Sequence, residues 1–135
     1  MIPFRVALRP GAPIYEQVVY AAKKAILSGE MAPGERFPSV RALSQSLKIN
    51  PNTAHKVIGE LVAERLLEVQ PGLGTVVAIR SAFSAADRAH LLKTEVEHLV
   101  VEAKRLGITR EALLDSVADH WRRLGPEESV VRGKR

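Results

Sequence analysis

The pair Asn50-Pro51 constrains the fold of this 135-residue chain more than any other local signal, because it marks the first turn of a helix. Asparagine is a favoured N-cap residue, and proline fits the first helical position because its missing N–H would have no partner there. Apolar residues then recur at helical spacing as far as about Glu64. They form one face, which consists of Ala54, Val57, Ile58, Leu61 and Val62. The chain must therefore supply neighbouring elements that cover this face.

Two helices are predicted before this one and a β-hairpin after it. Helical periodicity runs from Ile14 to Ser28, and Ser39 is an N-cap candidate for a short second helix. After the third helix, apolar and polar residues alternate over Leu67–Gln70. A Pro-Gly sequence at 71–74 then predicts a turn, and the following segment, Thr75–Ile79, is rich in β-branched residues. This order predicts a mainly α fold with a small β-hairpin, a winged helix-turn-helix.

The face of the third helix opposite its apolar stripe is polar near the start. It carries Asn52 and Lys56, flanked by Thr53 and His55, and becomes small and neutral at Gly59. A recognition helix reads base edges mainly with its N-terminal residues, and amide, imidazole and ammonium groups can donate to bases or phosphates. The alternative is an ordinary solvated helix face.

Two further features favour a polyanionic partner. Arg41 lies on the first turn of the second helix, where a cation opposes the helix dipole, so that a phosphate or guanine would favour it. The net charge is +5, and residues 1–80 hold ten Lys and Arg against six acids. The positive excess is therefore concentrated in the part that is predicted to be a winged helix.

The C-terminal part predicts two more helices. Ser84 is predicted to begin a long helix that ends at Gly107, and Thr109 to begin another that ends before Gly125-Pro126. Their apolar residues recur at spacings of three and four, at Leu92, Val96, Leu99, Ala103, Leu106, Leu114, Val117 and Trp121. We expect these residues to form a two-fold dimer interface, the alternative being that they pack back on their own winged helix.

The expected organisation is a DNA-binding domain at 1–80, a helical-hairpin dimerisation domain at 81–125 and a basic, disordered tail at 126–135. No cysteine is present, which excludes disulfides and thiolate chemistry and fits a cytoplasmic location. No apolar run is long enough to span a membrane.

An enzyme is the first rival interpretation. Its candidate ligands or bases would be His55, His90, His98 and His120, but no metal-binding or catalytic motif accompanies them. We therefore predict no catalytic residue, no metal site and no cofactor. The second rival is a winged helix that serves as an architectural or protein-interaction module and binds DNA without sequence preference.

Five ordered motifs carry a family resemblance. They are PIYEQ at 13–17, ILSGE at 26–30, PGERFPSVR at 33–41, NPNTA at 50–54 and PGLGT at 71–75. In this order and spacing they resemble the N-terminal domain of GntR-family transcription regulators over about residues 10–80. The short two-helix remainder resembles the YtrA subfamily.

The resemblance implies a homodimer that binds a pseudo-palindromic operator and represses its own operon, which commonly encodes an ABC-type transporter. It implies that the arginine of helix two, the start of the recognition helix and the wing-tip glycine contact DNA. The predicted DNA-binding residues are Ser39, Arg41, Asn50, Pro51, Asn52, Thr53, His55, Lys56 and Gly72. Some relatives carry arginine where Pro51 and His55 stand, so base preference is not transferred. Two short helices leave little room for a ligand pocket, and the sequence identifies no small-molecule effector.

Overall fold

Side-chain caps begin the helices at the positions that the sequence predicts. In a computed structural model that describes residues 2–79 and 83–125, Asn50 Oδ1 accepts a hydrogen bond from the Asn52 N–H at 2.7 Å. Ser39 Oγ accepts from Ala42 N at 3.1 Å, and Thr109 Oγ1 accepts from Ala112 N at 3.1 Å. Each cap pairs a backbone donor that the helix leaves without a partner.

The N-terminal elements are three helices and a hairpin. They are α1 (Ile14–Leu27), α2 (Val40–Leu47), α3 (Pro51–Ala63), β1 (Leu67–Gln70) and β2 (Gly74–Val77). The C-terminal elements are α4 (Ala85–His90), a π-helical segment (Leu91–Glu95), α5 (Val96–Arg105) and α6 (Arg110–Arg123). The chain divides into two compact units, Met1–Ala82 and Phe83–Arg135. The predicted disordered tail at 126–135 lies outside the described residues.

The first unit is built around the apolar face of α3. Ala54, Val57 and Leu61 are fully buried, and α3 packs against both α1 and α2. The residues that share this core are Phe4, Val18, Val19, Ala22, Ala25, Met31, Phe37, Leu43, Ile49, Leu67 and Val77. The predicted winged helix-turn-helix order is confirmed.

A connection between α2 and the hairpin was not predicted. The segment that follows Pro33-Gly34 pairs with the free edge of β2. Phe37 N donates to Thr75 O at 2.8 Å, and Val77 N donates to Glu35 O at 2.8 Å. The backbone that leads into α2 is thereby bonded to the hairpin.

The hairpin is shorter than predicted. β1 and β2 are antiparallel, with Leu67 opposite Val77, and β2 ends there instead of continuing to Ile79. The Ile79 N–H donates to the Glu68 carboxylate at 3.0 Å instead of extending the ladder.

The N-terminal segment contributes to the core. Phe4 is buried and stacks on Phe37 with ring centroids 5.8 Å apart. Gln17 holds the same segment by accepting from Arg9 N at 3.0 Å and donating to Arg9 O at 2.9 Å.

The second unit contains a helix that is less regular than predicted. Val96 N donates to Leu91 O, five residues back, so that one π-helical turn interrupts the helix that begins after Ser84. A short turn at Gly107 then leads to α6. No helix in residues 2–79 or 83–125 is long and apolar enough to cross a membrane.

The Asn50 cap gives a direct stability test. Asn50→Ala removes the acceptor for Asn52 N, and we expect the free energy of unfolding to fall by about 1 kcal/mol in urea denaturation. Asn52→Ala is the matched control, because its exposed side chain caps nothing among the described contacts, and it should change stability by less than about 0.5 kcal/mol. Equal losses in the two variants would contradict the capping account.

Candidate nucleic-acid interface

Because one face of α3 is buried in the core, its opposite, polar face points outward. Asn52, His55, Lys56 and Gly59 are exposed, and Thr53 is half-buried. Asn50 and Pro51 precede them at the start of the helix and are also exposed. The structure therefore places the predicted recognition residues on one accessible surface.

Arg41 lies on the adjoining helix and is also exposed. It is the second residue of α2, two positions after the Ser39 cap. Its side chain joins none of the hydrogen bonds or ion pairs found in the described residues. The guanidinium is therefore accessible to an external anion.

Acidic residues are distributed unevenly among the helix N-termini. Acids occupy the first turn of α1, α4 and α6, at Glu16, Asp87 and Glu111 respectively. The first turns of α2 and α3 contain none. A helix N-terminus carries partial positive charge that acids usually neutralise, so these two ends keep theirs. This is the electrostatic arrangement that a phosphate backbone would favour.

Lys56 is held by a contact that sequence reasoning missed. Its Nζ lies 4.2 Å from the centroid of the Tyr15 ring, a cation–π contact. The Tyr15 hydroxyl donates to Glu60 Oε1 at 3.1 Å. Desolvation and the nearby Glu60 carboxylate raise the pKa of Tyr15, so its hydroxyl remains a donor. Tyr15 lies within the PIYEQ motif, but its spacing from Lys56 gives no sign of contact.

A second pair also joins α1 to α3. Lys23 Nζ and Glu64 Oε1 are 2.6 Å apart. Desolvation would raise the pKa of Glu64, but the hydrogen bond from Lys23 lowers it overall. Glu64 and Glu60 are thus both engaged by groups from α1.

The hairpin tip faces an open cleft beside α3. Gly72 is exposed with φ +78°, in the left-handed region, as the turn requires. The cleft measures about 820 Å³. Ser39, His55 and Gly59 line it opposite Leu73 and Gly74 of the hairpin. The cleft thus joins the start of α2, one side of α3 and the hairpin, whereas Arg41, Asn52, Lys56 and Gly72 do not line it.

The histidines of the second unit form local pairs. His90 Nε2 lies 3.3 Å from Glu95 Oε2, and His98 Nδ1 lies 3.9 Å from Glu95 Oε1. All three side chains are more than half exposed. Within the described ranges, no group of three His, Asp or Glu side chains is placed to hold a metal ion.

The apolar stripe of the C-terminal helices is open to solvent. Exposure ranges from 40% at Val96 to 66% at Leu92, and Trp121 is 64% exposed. Leu99, Leu106, Leu114 and Val117 are exposed to intermediate extents within this range. Ala103 differs, because it is only 6% exposed in the single chain. Several large apolar side chains exposed at helical spacing usually mark an interaction surface.

Comparisons with known proteins agree with this geometry. A family model described as "Bacterial regulatory proteins, gntR family" matches residues 14–77, from α1 to the end of β2. The HTH-type transcriptional repressor YtrA of Bacillus subtilis (strain 168) is 33% identical over 106 residues, which cover 78% of this chain and 82% of that protein.

Solved structures show the same fold. A GntR family transcriptional regulator from Listeria monocytogenes aligns with a TM-score of 0.63 and 25% identity, covering 83% of this chain and 98% of that one. A transcriptional antiterminator from Listeria monocytogenes EGD-e aligns with a TM-score of 0.79 and 24% identity, covering 96% and 97%. At that identity the second likeness concerns the fold alone.

Substitution of Gly59 tests whether packing requires glycine at this position of α3. A Cβ at Gly59 would meet nothing within 4 Å, and its backbone is helical. Gly59→Ala should therefore raise the free energy of unfolding by about 0.5–1 kcal/mol in urea denaturation. Gly72→Ala is the matched control, because its Cβ also meets open space but its φ of +78° strains alanine. The free energy of unfolding of Gly72→Ala should fall by about 1 kcal/mol. A fall in Gly59→Ala as well would show that packing requires glycine at position 59.

Proposed function

The chain belongs to the GntR family of bacterial regulatory proteins, DNA-binding transcription regulators and not enzymes, and we propose that it is a homodimeric, sequence-specific repressor of its own operon. In this proposal residues 1–80 bind DNA and residues 81–125 dimerise. The alternative is a winged helix that binds all duplex DNA alike and serves an architectural role.

The observation that carries the proposal is the exposed polar start of α3 together with the exposed Arg41 of α2, which forms no ion pair among the described residues. Asn52 and His55 can donate to or accept from base edges, and Arg41 can contact phosphate or guanine. Ser39, Asn50 and Pro51 shape the helix starts that aim these groups. Thr53, Lys56 and Gly72 complete the proposed DNA-binding set. The acid-free starts of α2 and α3 support the placement of phosphates there.

The exposed apolar stripe supports the homodimer. A second copy would cover large side chains that the single chain leaves in water. The proposed interface consists of Leu92, Val96, Leu99, Leu106, Leu114, Val117 and Trp121, with the buried Ala103 within the same stripe. Two-fold symmetry would present two copies of α3 to the two halves of a pseudo-palindromic operator.

Repression is supported by the name of a relative, because the B. subtilis protein is described as a transcriptional repressor. The resemblance to the YtrA subfamily supports control of an operon that encodes both the regulator and an ABC-type transporter. Because the proposed partner is bacterial chromosomal DNA, we place the protein in the cytoplasm.

Arg41→Ala tests the DNA-binding assignment. We expect affinity for a protected site upstream of the chain's own gene to fall about ten- to hundred-fold, because one charge-assisted contact is lost. Helix content and dimer mass should be unchanged. Lys24→Ala, on α1, removes the same charge from an exposed position outside the proposed surface and should bind within about two-fold of wild type. Near-normal affinity of Arg41→Ala would defeat the assignment, and equal affinity of the wild type for all duplexes would favour the architectural alternative.

Leu99→Asp tests the dimer. A carboxylate in the apolar stripe would be desolvated on association, so we expect monomers in sedimentation and weaker operator binding. Val101→Asp is the matched control. Val101 is exposed on the same helix but lies about 160° around the axis from Leu99. It should remain dimeric, and dimers that survive in Leu99→Asp would contradict the proposed interface.

A further inference from the structure

One side chain of α1 contacts two oppositely charged groups of α3. Tyr15 places its ring 4.2 Å from Lys56 Nζ and donates its hydroxyl to Glu60 Oε1 at 3.1 Å. Lys56 and Glu60 are four residues apart and lie on neighbouring turns of the helix. Tyr15 is half-buried, whereas Lys56 is exposed. The aromatic ring is therefore the more fixed partner and the ammonium the more mobile one.

This geometry separates two charges that would otherwise attract each other. Lysine and glutamate at i and i+4 can form an ion pair on a helix surface. Among the described ion pairs none joins Lys56 to Glu60, and the carboxylate is engaged by the Tyr15 hydroxyl instead. The Lys56 ammonium thus keeps a charge that a direct pair would partly neutralise.

The ring also restricts the ammonium without consuming its hydrogen-bonding capacity. A lysine side chain loses considerable rotamer entropy when it is fixed, and a contact made before binding reduces that loss at the moment of binding. The ammonium has three N–H donors, and the ring faces only one side of it. The remaining donors are free for an oxygen anion on the exposed side.

We propose that Tyr15 is a positioning residue for DNA binding, whose ring holds the Lys56 ammonium at the edge of α3 where a backbone phosphate approaches and whose hydroxyl keeps Glu60 away from it. The inference rests on the proposed DNA-binding function. Tyr15 would thus contribute to operator binding without contacting the DNA itself.

A double-mutant cycle tests the inference. Affinity for the operator is measured with Tyr15→Leu, Lys56→Ala and the double variant, each across a salt series. Tyr15→Leu should weaken binding about three-fold, in line with an exposed cation–π contact. Lys56→Ala should weaken binding and reduce the salt slope by about one unit, as expected for one lost phosphate contact. The double variant should be no weaker than Lys56→Ala alone, because Tyr15 acts through Lys56.

Two controls isolate the ring. Tyr15→Phe keeps the ring and removes only the hydroxyl that engages Glu60, so it should weaken binding less than Tyr15→Leu does. Tyr20→Leu removes an exposed tyrosine of the same helix whose ring lies 5.9 Å from Lys24 Nζ, and its effect should be additive with Lys56→Ala. If Tyr15→Leu does not fold, NMR of the wild type tests the contact instead. The ring should shift the resonances of the Lys56 Hε protons upfield, and unshifted resonances would overturn the contact.

Failure of this inference and failure of the proposed DNA-binding function would give different results. If the wild type protects no specific site, the proposed function fails. If the wild type binds its operator but the effects of Tyr15→Leu and Lys56→Ala add independently, only the inference fails. Tighter binding by Tyr15→Leu would overturn the inference too, since it would mean that the ring withholds Lys56 from DNA.

Discussion

Ala54, Val57 and Leu61 are fully buried, and their packing against α1 and α2 fixes the rotation of α3 about its own axis. Because a helix places successive residues about 100° apart, this one constraint decides which side chains face outward. Asn52, His55 and the other polar residues of the first turns have no alternative orientation while the core is intact. The candidate DNA-binding surface is thus a consequence of core packing.

The unpredicted backbone pairing beside β2 extends that constraint to the rest of the surface. Phe37 donates to Thr75 in the hairpin, and Ser39 caps α2 two residues later. Phe37 also stacks on Phe4, so the same residue joins the N-terminal segment, the hairpin and the start of α2. Arg41 and Gly72 therefore lie on elements that share one hydrogen-bonded connection.

Local sequence signals predicted most of the helices, whereas contacts between residues far apart in the sequence were not predicted. The caps at Ser39, Asn50 and Thr109 depend on a few neighbouring residues, and each forms as predicted. The Phe4–Phe37 stack and the Tyr15–Lys56 contact join residues more than 30 positions apart, and no periodicity reports such pairs. The π-helical turn at Leu91–Glu95 was missed because it adds one residue per turn without changing residue type. The sequence thus identified the candidate surface but not the side chains from α1 that support it.

The measurement that tests the account most directly is hydroxyl-radical footprinting of the wild-type protein on the DNA upstream of its own gene, at several salt concentrations. A dimer that presents two copies of α3 should protect two symmetric half-sites, separated by about one helical turn of 10–10.5 base pairs or a multiple of it. Their protection should weaken steeply as salt rises. Protection spread evenly along the duplex, or confined to one half-site, would contradict a dimer that presents two copies of α3 to a palindrome.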